Sequence, residues 1–248
     1  MSRQPPQRDV APAVQKLRVR YAKRGRLRFT SHRDIQRSLE RALRRTGVPM
    51  AYSAGFSPHP KISYAGAASM GAASEAEYLE ISVTQHLDPG KVRDALDAAM
   101  PPGLDIVEVV SATAGSLADQ LEASEWQIEL AGVGLAEADV AVIKFLEQDT
   151  VEVERMTKSG LRRFDARQAV VRLAVEGGES DDRGPCAILR LVVRHVSPAV
   201  RPDDVLTALH VVASLTPPVP PKVTRLAQGP LKQESGMVAD PLAADRVA

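Results

Sequence analysis

The chain has 248 residues, 44% apolar and 25% charged, with a formal net charge of +1, a globular composition able to bury one large core or two ordinary ones. The single cysteine, Cys186, excludes an intramolecular disulfide, a cysteine-based zinc site and an iron–sulfur cluster ligated by this chain alone, and fits a reducing, cytoplasmic setting. No apolar run approaches the ~20 residues of a membrane span, and Met1 to Gln15, rich in Pro and Gln, reads as a disordered leader without the apolar core of a secretory signal.

Lys16 to Ala22 alternates Lys16, Arg18 and Arg20 with Leu17, Val19 and Tyr21, the period of a strand with one buried face. Lys23-Arg24-Gly25 reads as a turn. Arg26-Leu27-Arg28-Phe29 then resumes the alternation, so Arg18, Arg20, Arg26 and Arg28 are expected to share a solvent face. Ser31 suits an N-cap, and Asp34 supplies the acidic third position of a start resembling a capping box. The helix that follows to Arg45 or Thr46 keeps Ile35, Leu39, Ala42 and Leu43 as its core stripe, while Arg33, Arg37, Arg41 and Arg44 stack on another face. Gly47 ends it. Val48 to Ser53 and Lys61 to Ala65 read as strands joined by a loop from Gly55 to Pro60, and Tyr78 to Val83 as a further strand. Asp88-Pro89 opens a second helix with Val92, Ala95, Leu96 and Ala99 inward; it stops at Pro101-Pro102-Gly103, before a strand from Asp105 to Val110. This order is β-α-β-β-α-β with an extra hairpin.

Ser111 to Asp119 is small and polar, a link with at most a short helical turn. Glu125 to Ala131 alternates as a strand, and Leu135 to Leu146 reads as a helix with Val140, Ile143 and Leu146 inside. Strands follow near Thr150 to Thr157 and Ala169 to Glu176, then an acidic, Gly-rich hairpin loop from Gly177 to Pro185. Cys186 to His195 is a buried-looking strand, Pro202 to Ala213 a helix, and Val223 to Ala227 a last strand. The order has returned, and Asp88-Pro89 and Arg201-Pro202 open helices in the same fifth position. The expected fold is therefore α+β, two tandem ferredoxin-like modules from an internal duplication. Residues 1–15 form the leader, 16–111 the first module with its motif loop, 120–228 the second module, and 229–248, which lacks any period, a disordered tail.

Charge is unevenly spread. Lys16 to Arg45 holds twelve Lys/Arg against two acids, a balance of +10, and Ile62 to Glu129 holds twelve acids against two bases, a balance of −10. Such separation implies a polyanionic partner for the basic part, or two surfaces that neutralise each other within the fold or across a dimer. Arginine's planar fork suits phosphate, and an open ferredoxin-like sheet beside a basic helix is a geometry used by RNA-binding modules. The candidate nucleic-acid-binding residues are thus Arg18, Arg20, Arg26, Arg28, Arg33, Arg37, Arg41 and Arg44, joined by Phe56, His59 and Lys61. Pro58 and Pro60 exclude helix around His59 and present it on a stiff loop, where His59 and Lys61 can clamp a phosphate and Phe56 can stack a base. The alternative is a loop that only shapes a hairpin. His32 opens the first helix beside amides that favour anions. Ser74, Glu75 and Glu77 could orient a base or bind a cation, or could line a solvated strand entry. No P-loop, GxGxxG, HExxH or nucleophile elbow occurs, so no metal and no cofactor are expected.

Four stretches, Phe29-Thr30-Ser31-His32-Arg33-Asp34, Arg41 to Gly47, Tyr52 to Tyr64 and Gly71 to Tyr78, resemble in order and spacing the radical SAM-linked domain family, a domain of unknown function. The motif-rich part of the match covers about Leu17 to Val83, and a weaker remainder runs to about Ala227. Arg33 stands where that family's pattern has an apolar residue after the motif histidine. In the family the domain occurs beside, or fused to, a radical SAM enzyme with a cobalamin-domain-like region, and actinobacterial versions tend to be encoded near ribonuclease E/G and large-subunit ribosomal proteins. The resemblance implies a radical enzyme as partner and an RNA setting.

Three functions are compatible with these readings. The first is an RNA-binding accessory protein that presents a tRNA or rRNA to the radical SAM partner. The second is a metal-independent RNA-processing nuclease of double ferredoxin-like architecture, with His32 or His59 as general base. The third is a purely structural partner of the radical enzyme, docking through the acidic stretch.

Overall fold

The computed structural model describes residues 11–113, 115–158, 160–177 and 184–247. The chain divides into two compact units, Met1–Gln120 with Pro241–Ala248, and Leu121–Asp240. Both are α+β, and the described residues carry five α-helices.

The first unit runs β1 (Gln15–Lys23), a 3₁₀ turn (Gly25–Phe29), α1 (His32–Arg45), β2 (Ile62–Ala65), β3 (Ala73–Val83), α2 (Pro89–Ala99), β4 (Ile106–Ser111) and one short helical turn, α3 (Leu117–Gln120). Its strands lie in the order β4-β1-β3-β2, each pair antiparallel. In register, Val19 stands opposite Leu79 on one side and Val109 on the other. Ile35, Leu39, Ala42 and Leu43 of α1 and Val92 and Leu96 of α2 pack with Leu17, Val19, Leu79, Ile81 and Ile106 into one core, where each large aliphatic side chain is worth about 1.5–3 kcal/mol. Ser31 caps α1 by accepting from the Asp34 amide, and Asp88 caps α2 with Pro89 in its first turn.

Several expectations for this unit change. Arg26 to Phe29 does not resume the strand. Gly25, at φ 54°, turns the chain into a 3₁₀ segment in which the Leu27 amide donates to Arg24 O and the Thr30 amide to Leu27 O; so short an alternation does not outweigh a left-handed glycine. Val48 to Ser53 makes only isolated bridges, Met50 with Val83 and Tyr52 with Pro60. The solvent face expected for Arg18 does not exist: its side chain is 1% exposed. β1 has a neighbour on each edge, and the 3₁₀ turn Ala244–Val247 brings Asp245 onto the Arg18 guanidinium.

The second unit runs β5 (Ala123–Ala131), α4 (Leu135–Leu146), β6 (Glu152–Thr157), β7 (Gly160–Asp165), β8 (Val170–Gly177), β9 (Cys186–Arg194), α5 (Pro202–Ala213), β10 (Lys222–Gly229) and a short pair, β11 (Leu231–Lys232) with β12 (Met237–Val238). The strand order is β10-β5-β9-β8, again antiparallel throughout. β6 and β7 form a separate hairpin. β7 is absent from the sequence reading because it carries one buried side chain, Phe164, and so shows no alternation.

α4 forms where expected but faces the other way. Ala138, Ala141, Val142 and Phe145 are buried, whereas Val140, Ile143 and Leu146 are 52%, 56% and 38% exposed. The buried set repeats at three, four and seven residues, the full amphipathic stripe, with small alanines where α4 meets α5, β8 and β9. Over 229–247 the tail is also ordered. Gly229 pairs with Ala123, Leu231 with Val238, Leu242 is buried, and Asp245 is buried with it. A few anchoring contacts hold a segment that has no period to read. The leader and the acidic loop fall, over 1–10 and 178–183, outside the described residues; Gln15 already belongs to β1.

Candidate nucleic-acid interface

The cations of β1 and of α1 have different surroundings. Lys16 lies 3.5 Å from Glu80, Arg18 pairs with Glu80 at 3.0 Å and Asp245 at 2.8 Å, and Arg20 lies 3.9 Å from Glu108. Arg24 holds Glu75 at 2.5 Å and Asp105 at 2.7 Å. Burial opposes charge on both Arg18 and Asp245. Hydrogen bonds from Thr113 and Arg18 more than offset it for the Asp245 carboxyl, whose pKa is lowered, and Asp245 and Glu80 do the same for the Arg18 guanidinium, whose pKa is raised. The acidic stretch therefore neutralises the basic strand inside the unit.

On α1 the situation is reversed. Arg37 meets Asp34 at 3.5 Å, both largely exposed, and Arg41 donates to Ser38 Oγ at 3.2 Å. Among the described residues, Arg33, Arg41, Arg44 and Arg45 have no ion pair, and all four are exposed. Like charges at i,i+4 destabilise a helix by about 0.2–0.5 kcal/mol per pair, so this stripe is held against a small cost. Arg26 and Arg28 precede the helix, with the Arg28 guanidinium 4.7 Å from the Phe29 ring centroid.

The motif loop closes on itself. The Ser53 amide donates to His59 O at 3.0 Å, the His59 amide donates to Ser53 Oγ at 3.2 Å, and His59 Nδ1 lies 3.0 Å from Ser53 Oγ and 3.3 Å from Ser57 O. Both contacts engage Nδ1 of an exposed ring. Phe56 is 55% exposed and Tyr52 40%, so two aromatic rings reach solvent on this loop.

Pro60 separates two hollows. One, of about 290 Å³, brings His59 and Lys61 beside Lys16, Ser63, Glu80 and Ser82. The other, of about 170 Å³, lies between α1 and the loop: Glu40, Leu43 and Arg44 on the helix side, Met50, Tyr52, Pro58 and Pro60 on the other. Tyr64 is nearby on β2, its buried hydroxyl lacking a partner among the described residues. Burial, and then the Glu40 charge, raise its pKa and keep it protonated. The His32 ring stands edge-on to Tyr64 with centroids 5.2 Å apart, and Gln36 donates to His32 Nε2 at 2.9 Å.

The arrangement thus joins Arg44 to the loop and joins His59 and Lys61 to Lys16, but removes Arg18 from the surface and leaves Arg20 engaged. Ser74 and Glu77 do not line a solvated entry: both are buried, and Glu77 accepts from the Ala68 amide at 3.1 Å while buried Lys23 donates to Ser69 O at 3.2 Å. These side chains frame the 66–71 loop. Among the described residues no group of three His, Cys, Asp or Glu could hold a metal. Sequence reasoning missed Glu40, Tyr52 and Arg45 as site residues. Glu40 was visible four residues before Arg44, but only the hollow shows that it faces the loop.

The family model described as "Uncharacterized protein conserved in bacteria (DUF2344)" matches residues 16–202. No curated protein matches the chain. A solved chain in "Crystal Structure of a Cbf5-Nop10-Gar1 Complex" is similar with a TM-score of 0.42 and 11% identity, over 86% of this chain and 48% of that one. This chain spans about half the length of that neighbour, and no function is transferred from so slight a likeness. No helix among the described residues is long and apolar enough to cross a membrane.

Proposed function

We propose that this chain, which belongs to the family of uncharacterized proteins conserved in bacteria, is an RNA-binding accessory protein that holds a tRNA or rRNA for a radical SAM enzyme with a cobalamin-domain-like region. One observation carries the RNA half of this reading. The cations of β1 are matched by carboxylates of their own unit, whereas Arg33, Arg41, Arg44 and Arg45 on α1 are exposed without an ion pair among the described residues. Uncompensated arginine beside exposed aromatic rings is the chemistry of a single-stranded RNA surface. The strand orders β4-β1-β3-β2 and β10-β5-β9-β8 support reading each unit as a ferredoxin-like module, and the pair as a duplication. The radical SAM partner rests on the four motif stretches alone.

RNA affinity measured from ~50 to ~200 mM salt should fall by decades if several phosphates are neutralised; a flat response defeats the reading. Pull-down with crosslinking mass spectrometry, with and without nuclease, tests the partner, and capture that survives nuclease would favour direct docking. Such docking through the acidic stretch has less to offer, since Glu75, Glu80, Asp105 and Glu108 are already engaged by arginines. The nuclease reading draws on one feature, the exposed ring of His59, and loses it if structured RNAs incubated with the purified protein stay intact.

A further inference from the structure

We propose that the hollow between α1 and the motif loop is a reading pocket for one unstacked guanine of the bound RNA. This deepens the RNA-binding reading and rests on it. The hollow holds about 170 Å³, well under the ~300 Å³ at which drug-sized pockets begin, which limits the occupant to about one planar ring system. Its walls suit such a ring. Leu43 and Met50 are apolar, Pro58 and Pro60 offer flat faces, and Tyr52 is a half-exposed aromatic on which a base can stack.

Glu40 gives the pocket its selectivity. It is half-buried, it lines the hollow, and among the described residues its carboxylate has no hydrogen bond and no ion pair, although Arg44 follows one helical turn later. A lone carboxylate on a helix face otherwise rich in arginine repels phosphate, so it does not serve backbone binding. An ionised carboxylate only accepts hydrogen bonds. Both of its oxygens are satisfied at once only by two adjacent donors on the edge of a base. Guanine supplies them in N1–H and the N2 amino group. Adenine and cytosine each place a ring acceptor beside their amino group, and uracil flanks its single N–H with two carbonyls. Arg44, on the same wall, is suited to donate to guanine O6, the acceptor next to N1–H. A base held this way is read on its Watson–Crick edge, which only an unpaired nucleotide presents, so the site selects a loop, bulge or end.

The test uses the full chain and short single-stranded RNAs that are identical except for one central guanine, inosine or adenine, with affinity read by fluorescence anisotropy. Guanine should bind about tenfold or more tightly than adenine, with inosine, which lacks the N2 amino group, between them. Glu40→Gln should erase this ranking, because the amide replaces one of the two acceptor oxygens with an NH2 donor, while leaving the salt dependence and the melting temperature unchanged. Equal affinities for all three RNAs with a steep salt dependence would overturn the guanine pocket and leave the RNA-binding reading standing. Absence of binding to any RNA would overturn both. A ranking that survives Glu40→Gln would place base recognition elsewhere and overturn the assignment of this hollow.

Discussion

α1 and α4 each follow the first strand of their unit, and each buries four side chains at helical spacing. α1 buries Ile35, Leu39, Ala42 and Leu43; α4 buries Ala138, Ala141, Val142 and Phe145. Their solvent faces differ: α1 exposes Arg33, Arg37, Arg41, Arg44 and Arg45, whereas α4 exposes Val140, Ile143 and Leu146 among Glu137, Asp139 and Lys144. Packing constrains only the core-facing stripe of a helix. What a unit does is then decided by the face that packing leaves free, and of these two helices α1 is the one that concentrates arginine there.

The largest effect should come from a cation that only looks as if it belongs to the basic surface. Arg18→Ala leaves Asp245, 0% exposed, without its guanidinium, and removing one partner of a buried pair costs about 3–5 kcal/mol. Chemical denaturation should report that loss, while the folded fraction binds RNA as before. Weaker RNA binding without a change in stability would return Arg18 to the interface. Next in size is Arg37→Glu with Arg41→Glu, a change of −4 in charge that leaves the buried stripe untouched. RNA affinity at low salt should fall roughly a hundredfold with the melting temperature held. Val140→Glu with Ile143→Glu, which adds −2 in charge to the exposed face of α4, should leave RNA affinity where it was. A loss from both pairs would abolish the contrast between the helices, and unfolding by the arginine pair would place that stripe in an internal ion network.

These variants also mark how far the sequence could be read. α1 was legible because its apolar and cationic residues occupy separate faces, so one period identifies both. In α4 apolar residues stand on every side, and Val140, Ile143 and Leu146 outweigh alanines in hydropathy though not in spacing; direction is then decided by what fits against α5 and β8. Arg18 was misread because alternation assumes one wet face, and the carboxylate that covers it comes from Asp245, 227 residues further along the chain. The Glu40 hollow depends in the same way on a loop folding back against a helix, which no local pattern records. The motif stretch stood out by its prolines, and His59 between them is exposed.

A smaller effect separates the two units by pH. In the second unit both nitrogens of His195 are engaged, Nδ1 at 2.6 Å from Leu121 O and Nε2 at 2.7 Å from Ser124 Oγ. Withdrawal from water lowers its pKa below the usual 6.5, despite the opposing bond to Leu121, and Arg225 adds to the lowering. A histidine whose folded pKa is depressed stabilises the fold fully above its unfolded pKa. That contribution fades as pH falls from about 6.5 through the folded value. The melting temperature should decline modestly over this window in the parent protein and less in His195→Gln. An identical decline in both would remove His195 as the cause.

The smallest stability change is expected at His59, and there the distinction between shape and chemistry can be tested most directly. His59→Ala removes an exposed ring whose bonds are all local, to Ser53 and Ser57, while Pro58, Pro60, the Ser53–His59 backbone bond and the Tyr52–Pro60 bridge stay in place. Stability should move by no more than ~0.5 kcal/mol. RNA affinity should fall severalfold and a complementation assay should show loss of function, because His59 is exposed and lines one hollow with Lys61 and Lys16. Pro58→Ala makes the opposite change, keeping the ring and loosening its support. If His59→Ala is silent while Pro58→Ala is not, the loop acts through its form alone and His59 leaves the site. If both lower function and only Pro58→Ala shifts the melting temperature, the ring acts chemically and the prolines hold it where it can.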